Sequence, residues 1–437
     1  MATEKYKELW STLGLNLQNH DGLLQVLGKT YGGLFLTQKS RPQTMDYFNF
    51  VVSEIHGFRV AEIAKAKDSK DHPLVVGGYC TFIPEELVVA VGGIMIGLCA
   101  GAEVASEQAE RYVPRNTCSL IKSTLGFKLA GVCPYLELCD LIVGELTCEG
   151  KSKAWEVFPD IIKKPFHVIE MPKTRGNDRS IKLLAEEYAR FATKLEQLSG
   201  KKITPESLRA ATEIVNAKRR ALQRLADLRS ADPAPISGLD SLLVNQIAFF
   251  DDPVRFTASV NKICDELETR IANKEWTNDQ FPKGTPRLLI SGCPMALPNW
   301  KVPAIVETSG AVIVGEETCT GERGFQKGQI EIPAEGMDVA QMIQKLSERY
   351  NCIDCAIFSE NKSRLAHIEE LVKRTKAQGV VLYGLHFCTS YLFEAMDFER
   401  QLEKKGIPTL RIETDYSAED SAQLKTRLEA FIERIKQ

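Results

Sequence analysis

Twelve cysteines are the residues of this 437-residue chain whose type and placement bear most directly on chemistry. Six of them, Cys80, Cys99, Cys148, Cys293, Cys319 and Cys388, follow closely on short apolar runs of strand character. In open parallel sheets, ligands bind outside the carboxyl ends of the strands. Thiols at those ends therefore point to a site, whereas cysteines used only as small core hydrophobes would fall inside strands and helices. Single thiolates on separate loops suit an iron–sulfur cluster, whose ligands are cysteine sulfurs. Structural zinc uses two close cysteine pairs; Cys352 and Cys355 form the single C-x-x-C, and no histidine pair completes it. A redox dithiol is the other use open to that pair. Disulfides are disfavoured because the chain reads as cytoplasmic, with no basic-plus-apolar N-terminal segment.

The elements that must position these thiols alternate between strand and helix. Pro73 to Gly78, Ile94 to Leu98 and Asp140 to Leu146 read as strands, and Pro84 to Val91 reads as a helix with proline and two glutamates in its first turn. Arg287 to Ser291, Ala311 to Gly315, Ala356 to Phe358, Gly379 to Tyr383 and Thr409 to Glu413 read as a second set of strands, before a last helix over Glu419 to Ile435. The expected class is α/β, with two doubly wound parallel-sheet domains of similar topology. The expected domains are a helical N-terminal region over 1–65, a first α/β cluster-binding domain over 66–175, a helical insertion over 176–280 and a second α/β cluster-binding domain over 281–437. Thr204-Pro205-Glu206 is a helix start inside the insertion, and Lys218-Arg219-Arg220 reads as a solvated helix face. A degenerate repeat links the two α/β units: PLVVGGYC with RLLISGC, GGIMIGLCAG with GAVIVGEETCTG, and DLIVGELTCEG with GVVLYGLHFCTS. It pairs Cys148 with Cys388 and Cys80 with Cys293; shared fold grammar would produce the same weak likeness.

Composition removes several function classes. A net charge of −3 gives no electrostatic basis for binding nucleic acid or an anionic membrane. The uncharged run Leu87 to Ala102 is 16 residues long and interrupted by glycines, too short for a span of about 20 residues; it reads as helix end, turn and core strand. Gly28-Lys29-Thr30 suggests a phosphate loop, but Gly22 lies six residues before Gly28, not five, and no apolar strand precedes it. ATP chemistry is not expected in this chain.

Several segments together are specific for one superfamily. YCTFIPEELVVAVGG (79–93), PRNTCSLIKSTLG (114–126), ELTCEGKSK (145–153), PRLLISGCP (286–294), EETCTGERGF (316–325), Cys355 to Arg364, HFC (386–388), GIPTLRIETDYS (406–417) and RLEAFIERI (427–435) carry the likeness. Over nearly its whole length the chain resembles the 2-hydroxyacyl-CoA dehydratase and benzoyl-CoA reductase subunits. It looks closest to the double-cubane cluster protein branch, because more cysteines stand at family positions than the three that one [4Fe–4S] cluster takes. The resemblance implies a double-cubane [8Fe–9S] cluster with three cysteines per cubane, or else one or two [4Fe–4S] clusters. Carried over, the ligands are Cys80, Cys118 and Cys148 from the first α/β domain and Cys319, Cys355 and Cys388 from the second. Cys293 or Cys99 is the substitute for Cys80, while Cys133, Cys139, Cys264 and Cys352 default to structural roles. The resemblance also implies a homodimer, supplied with electrons by a separate ATP-hydrolysing iron–sulfur reductase.

The expected function is ATP-dependent, low-potential reduction of a small molecule. The alternatives are a 2-hydroxyacyl-CoA dehydratase subunit with one cluster, or a non-catalytic electron-transfer protein. Reduction needs protons, and Glu145, Glu317 and His386 are the candidate donors, with Glu149, Glu316 and Glu322 also near the proposed ligands. Pairing with Lys151, Lys153 or Arg323 is the plainer role for such carboxylates. Tyr383 reads as core.

Overall fold

A computed structural model describes residues 3–331 and 336–436. Eight strands form two sheets of four. The first contains β1 (Val75–Gly78), β2 (Ile94–Gly97), β3 (Leu141–Leu146) and β4 (Phe166–Glu170), in the order β2-β1-β3-β4. The second contains β5 (Arg287–Gly292), β6 (Val312–Glu317), β7 (Gly379–Leu385) and β8 (Thr409–Thr414), in the order β6-β5-β7-β8. Every pairing is parallel. The class is therefore α/β with two doubly wound sheets, and the two orders are the same when β5 to β8 are matched to β1 to β4. Central strands are buried on both faces, which is why β1, β3, β5 and β7 read as near-continuous apolar runs.

Four helices, Thr3–Thr12, Leu17–Leu34, Asp46–Ser53 and Phe58–Lys67, precede the first sheet. His20 and His56 meet there inside the core, ring nitrogens 2.8 Å apart. Four more helices, Asp178–Ser199, Pro205–Leu228, Gly238–Ile247 and Pro253–Ala272, lie between β4 and β5. Thr204 caps Pro205–Leu228 through a reciprocal box with Ser207, as its sequence suggests. The uncharged run after Leu87 resolves into the helix Glu85–Ala90, a turn at Gly92 with φ +69° and β2. Among the described residues no helix is long and apolar enough to cross a membrane.

Two local expectations need correction, and one strand is not anticipated by the sequence. Ala356 to Phe358 is a turn, not a strand: the Phe358 N–H donates back to the Cys355 carbonyl, which also accepts from Asn361 Nδ2 at 2.7 Å. β4 is a strand without a strand signal, because its sequence FHVIE mixes polar and apolar residues at a sheet edge. The Lys218-Arg219-Arg220 cluster is not one solvated face. Lys218 pairs with Glu85, and Arg219 is buried against Glu86 at 2.7 Å; both contacts dock the insertion onto the first sheet's helix.

Two tests follow from this packing. Gly292, at the end of β5, has φ +148°, and a Cβ there would lie 1.8 Å from the Tyr383 carbonyl oxygen. Gly292→Ala is expected to cost roughly 2 kcal/mol or more of stability, read from denaturant midpoints; a wild-type midpoint would refute the packing. His167 on β4 stacks on Phe191, and burial lowers its pKa from 6.5 to about 4. As pH falls below the unfolded value, the unfolded chain takes up the proton first, so stability is lost between pH 6.5 and about 4. His167→Phe should flatten part of that loss, and an unaltered pH slope would count against the assignment.

Candidate metal centre

The carboxyl ends of both sheets open on one partly open cavity of about 260 Å3. Cys80, Cys99, Cys118, Cys148, Cys319, Cys355 and Cys388 line it, so all six predicted ligands meet at one place and Cys99 joins them. All twelve cysteines are free thiols. Cys80, Cys148 and Cys319 stand two residues beyond β1, β3 and β6, and Cys388 stands three beyond β7. Parallel strands must return through a crossover, so the following helices begin at these same ends.

The six thiols fall into two sets by local structure. Cys118, Cys148 and Cys388 occupy the N-cap positions of the helices Ser119–Leu129, Glu149–Ile162 and Thr389–Lys404. Unpaired backbone N–H groups and the positive end of the helix dipole favour a thiolate there. The Cys118 and Cys388 thiols act on one another, joining the two α/β units. That contact raises the Cys118 pKa more than burial does. The Ser119 N–H reinforces the junction by donating to the His386 carbonyl at 3.2 Å.

Cys80, Cys319 and Cys355 lie on loops instead. Burial pushes the Cys80 thiol well up; negative charge at Glu145, then at Cys319 and Cys355, adds to the effect. Burial and then Cys319 raise Cys355. Side chains serve this set: Arg323 Nη1 donates to Cys319 Sγ at 3.2 Å, and Tyr391 Oη lies 3.6 Å from Cys355 Sγ.

The two substitutes for Cys80 have other partners. Cys99 Sγ donates to the Tyr79 carbonyl at 3.1 Å, and burial lifts its pKa to about 12. Cys293 is fully buried, is not on the cavity wall, accepts the Leu385 N–H at 3.4 Å and backs onto Cys388. Cys139 and Cys264 are buried with their thiols turned to the Tyr135 and Ala221 carbonyls, Cys133 heads a short helix, and Cys352 is exposed.

The candidate proton donors differ sharply. Glu145 is fully buried, pairs with Lys151 and touches Cys80; burial raises its pKa despite the lysine. Its Oε2 has no hydrogen-bond partner. Glu317 opposes the upward push of burial with Arg323 and Arg364, which hold its carboxyl below the usual value. It is a structural anion in this arrangement. His386 is part exposed and faces Asp415 at 3.5 Å. Glu316 is locked to buried Arg229, Glu149 is exposed, and burial raises Glu322 to about 7 against the pull of Arg374. Tyr383 is core, as expected.

Among the described residues, no three His, Cys, Asp or Glu side chains converge closely enough for one metal ion. A set of thiols distributed around a cavity of about 260 Å3 suits a larger group that carries sulfide between its metals. The charged side chains on the wall are paired, Lys151 with Glu145, Lys218 with Glu85 and Arg219 with Glu86. Residues such as Met95, Leu222, Phe249 and Phe325 make the rest of the wall apolar. The contacts of Arg323 and Tyr391 with sulfur are not evident in the sequence. Their one signal is spacing, four residues after Cys319 and three after Cys388.

Comparison with known proteins shows the family. The family model for the 2-hydroxyglutaryl-CoA dehydratase D-component matches residues 80–435, from the first of the six cysteines to the last helix. The putative dehydratase subunit YjiM of Escherichia coli (strain K12) is 36% identical over 83% of this chain and 91% of its own length. The (R)-phenyllactyl-CoA dehydratase beta subunit of Clostridium sporogenes is 26% identical over 82% and 91%. A benzoyl-CoA reductase subunit of Thauera aromatica is 22% identical over 82% and 89%. With a matched region that takes in seven of the eight strands and all six cavity thiols predicted as ligands, the chain belongs to the 2-hydroxyglutaryl-CoA dehydratase D-component family.

Proposed function

We propose that Cys80, Cys118, Cys148, Cys319, Cys355 and Cys388 hold an iron–sulfur group, a double-cubane [8Fe–9S] cluster with three thiolates per cubane. The chain then performs ATP-dependent, low-potential reduction of a small molecule, as a cytoplasmic homodimer fed by a separate ATP-hydrolysing iron–sulfur reductase. The observation that carries this reading is the meeting of these six thiols, from both sheets, on one cavity. Their two local settings suggest the division of ligands: Cys80, Cys319 and Cys355 for one cubane, and Cys118, Cys148 and Cys388 for the other. When bound, the group would supply electrons one at a time to a molecule in the cavity. The chain's own residues exclude bulk water with apolar wall side chains. Buried Glu145, with its raised pKa and its contact with Cys80, is a proton-holding group beside one of the ligands.

A second reading also has support. The relatives that are 36% and 26% identical are named dehydratase subunits, and the matching family model is that of a dehydratase component. A 2-hydroxyacyl-CoA dehydratase subunit would need one [4Fe–4S] cluster and three of the six thiols. Iron analysis of anaerobically purified protein separates the readings: about eight iron atoms per chain are expected for the double cubane and about four for the dehydratase. Cys148→Ser and Cys388→Ser should each lower the iron content and weaken the visible absorption, while Cys293→Ser should leave both near wild type. Unchanged iron in both of the first two variants would overturn the ligand assignment. Iron-replete protein that reduces no small molecule with the reductase and ATP present would instead make it an electron carrier.

A further inference from the structure

Arg323 lies at the centre of a buried network that the ligand assignment does not use. Its side chain is fully buried. Nε donates to Glu317 Oε1 at 2.9 Å, and Nη2 donates to the Gly292 and Glu317 carbonyls at 3.0 and 2.8 Å. Nη1 faces the cavity side, where it donates to Cys319 Sγ at 3.2 Å and to the Tyr391 hydroxyl oxygen. Glu317 Oε2 is held by Ser291 and Arg364, and Arg364 pairs in turn with Glu394. Every group that fixes Arg323 is thus itself fixed.

The direction of the tyrosine bond follows from this. Tyr391 is buried, and both guanidinium groups lie over its ring, Arg323 at 5.1 Å and Arg364 at 4.9 Å from the centroid. Its oxygen accepts from Arg323, so its one hydrogen is free for Cys355 Sγ, 3.6 Å away. One guanidinium therefore serves two sulfurs of the same set, Cys319 directly and Cys355 through Tyr391. The other set is placed differently: Cys118, Cys148 and Cys388 head helices.

We propose that Arg323 and Tyr391 are positioning residues that raise the reduction potential of the half of the metal group held by Cys80, Cys319 and Cys355, making the two halves inequivalent. The inference rests on the iron–sulfur reading above. Adding an electron makes the sulfurs more negative, and a donor aimed at a sulfur stabilises the reduced state more than the oxidised one. A hydrogen bond from a charged donor does this about twice as strongly as one from a neutral donor. The rigid network means the donors need no reorientation when the electron arrives. The half beside Arg323 is then the one reduced first.

Redox titration of the anaerobic holoprotein, followed by visible absorption and electron paramagnetic resonance, tests the proposal alongside iron analysis. Tyr391→Phe removes the hydrogen bond to Cys355 but leaves the Arg323–Glu317 pair intact. It should keep wild-type iron and lower one of the two midpoint potentials. A tenfold fall in the reduced-to-oxidised ratio at fixed potential would correspond to a shift of about 59 mV for a one-electron couple. Arg323→Lys keeps the charge, so it should shift the same transition less than Arg323→Met. Iron-replete Tyr391→Phe and Arg323→Lys proteins with wild-type midpoints would overturn the proposal. Wild-type protein without iron would sink the iron–sulfur reading itself, which is a different failure.

Discussion

Everything in this molecule depends on two parallel sheets that turn their carboxyl ends toward the same cavity. A parallel strand must be followed by a crossover, and a helix commonly begins just beyond it. The turn between them exposes backbone N–H groups that no helix residue can satisfy. Cys148 and Cys388 stand in that turn after β3 and β7, the central strands of their sheets. Neither sheet alone brings six thiols together. The Cys118–Cys388 contact, and the Ser119 N–H on the His386 carbonyl, join the two sets of strand ends into one wall.

Gathering thiols in a buried place raises an electrostatic problem, because each thiolate disfavours the next. Two devices answer it. Helix N-termini supply fixed partial charge to Cys118, Cys148 and Cys388 without adding a side chain to the cavity. The loop thiols have no such help, and side-chain donors stand beside them: Arg323 and Tyr391 at Cys319 and Cys355, and Lys151, paired with Glu145, near Cys80. The first device is built by backbone geometry alone. The second needs a chain of supporting ion pairs, since a buried cation is costly unless it is paired and hydrogen-bonded.

Much of this is legible in the sequence, and the limits have physical reasons. Strands buried on both faces produce uninterrupted apolar runs, so β1, β3, β5 and β7 announce themselves, and the thiols just beyond them can be placed at strand ends. The edge strand β4 does not, because one side of it is open and its residues FHVIE form neither a continuous apolar run nor a strict alternation. Ala356 to Phe358 looks like a strand because it is apolar, yet a backbone turn onto the Cys355 carbonyl decides its shape. Lys218 and Arg219 look solvated because nothing local pairs them; their partners, Glu85 and Glu86, are more than a hundred residues away. The contacts of Arg323 are hidden for the same reason. Of its partners, Cys319 and Glu317 are near in sequence, but Tyr391 arrives from a different strand end.

The internal likeness of the two α/β units makes the arrangement of thiols more informative. The sheets share one strand order, so matched cysteines would stand in matched places if the repeat governed their use. Cys148 and Cys388 do: each caps the helix after its central strand. The others diverge. Cys80 lines the cavity while its counterpart Cys293 is buried behind the wall, and Cys118 caps a helix while Cys355 lies on a loop. Each set of three consequently draws on both units, with Cys80 joining Cys319 and Cys355, and Cys388 joining Cys118 and Cys148. A fold with near-twofold repetition in its strands repeats only part of its pattern of thiols. That difference lets two halves of one site have unlike surroundings while resting on the same scaffold.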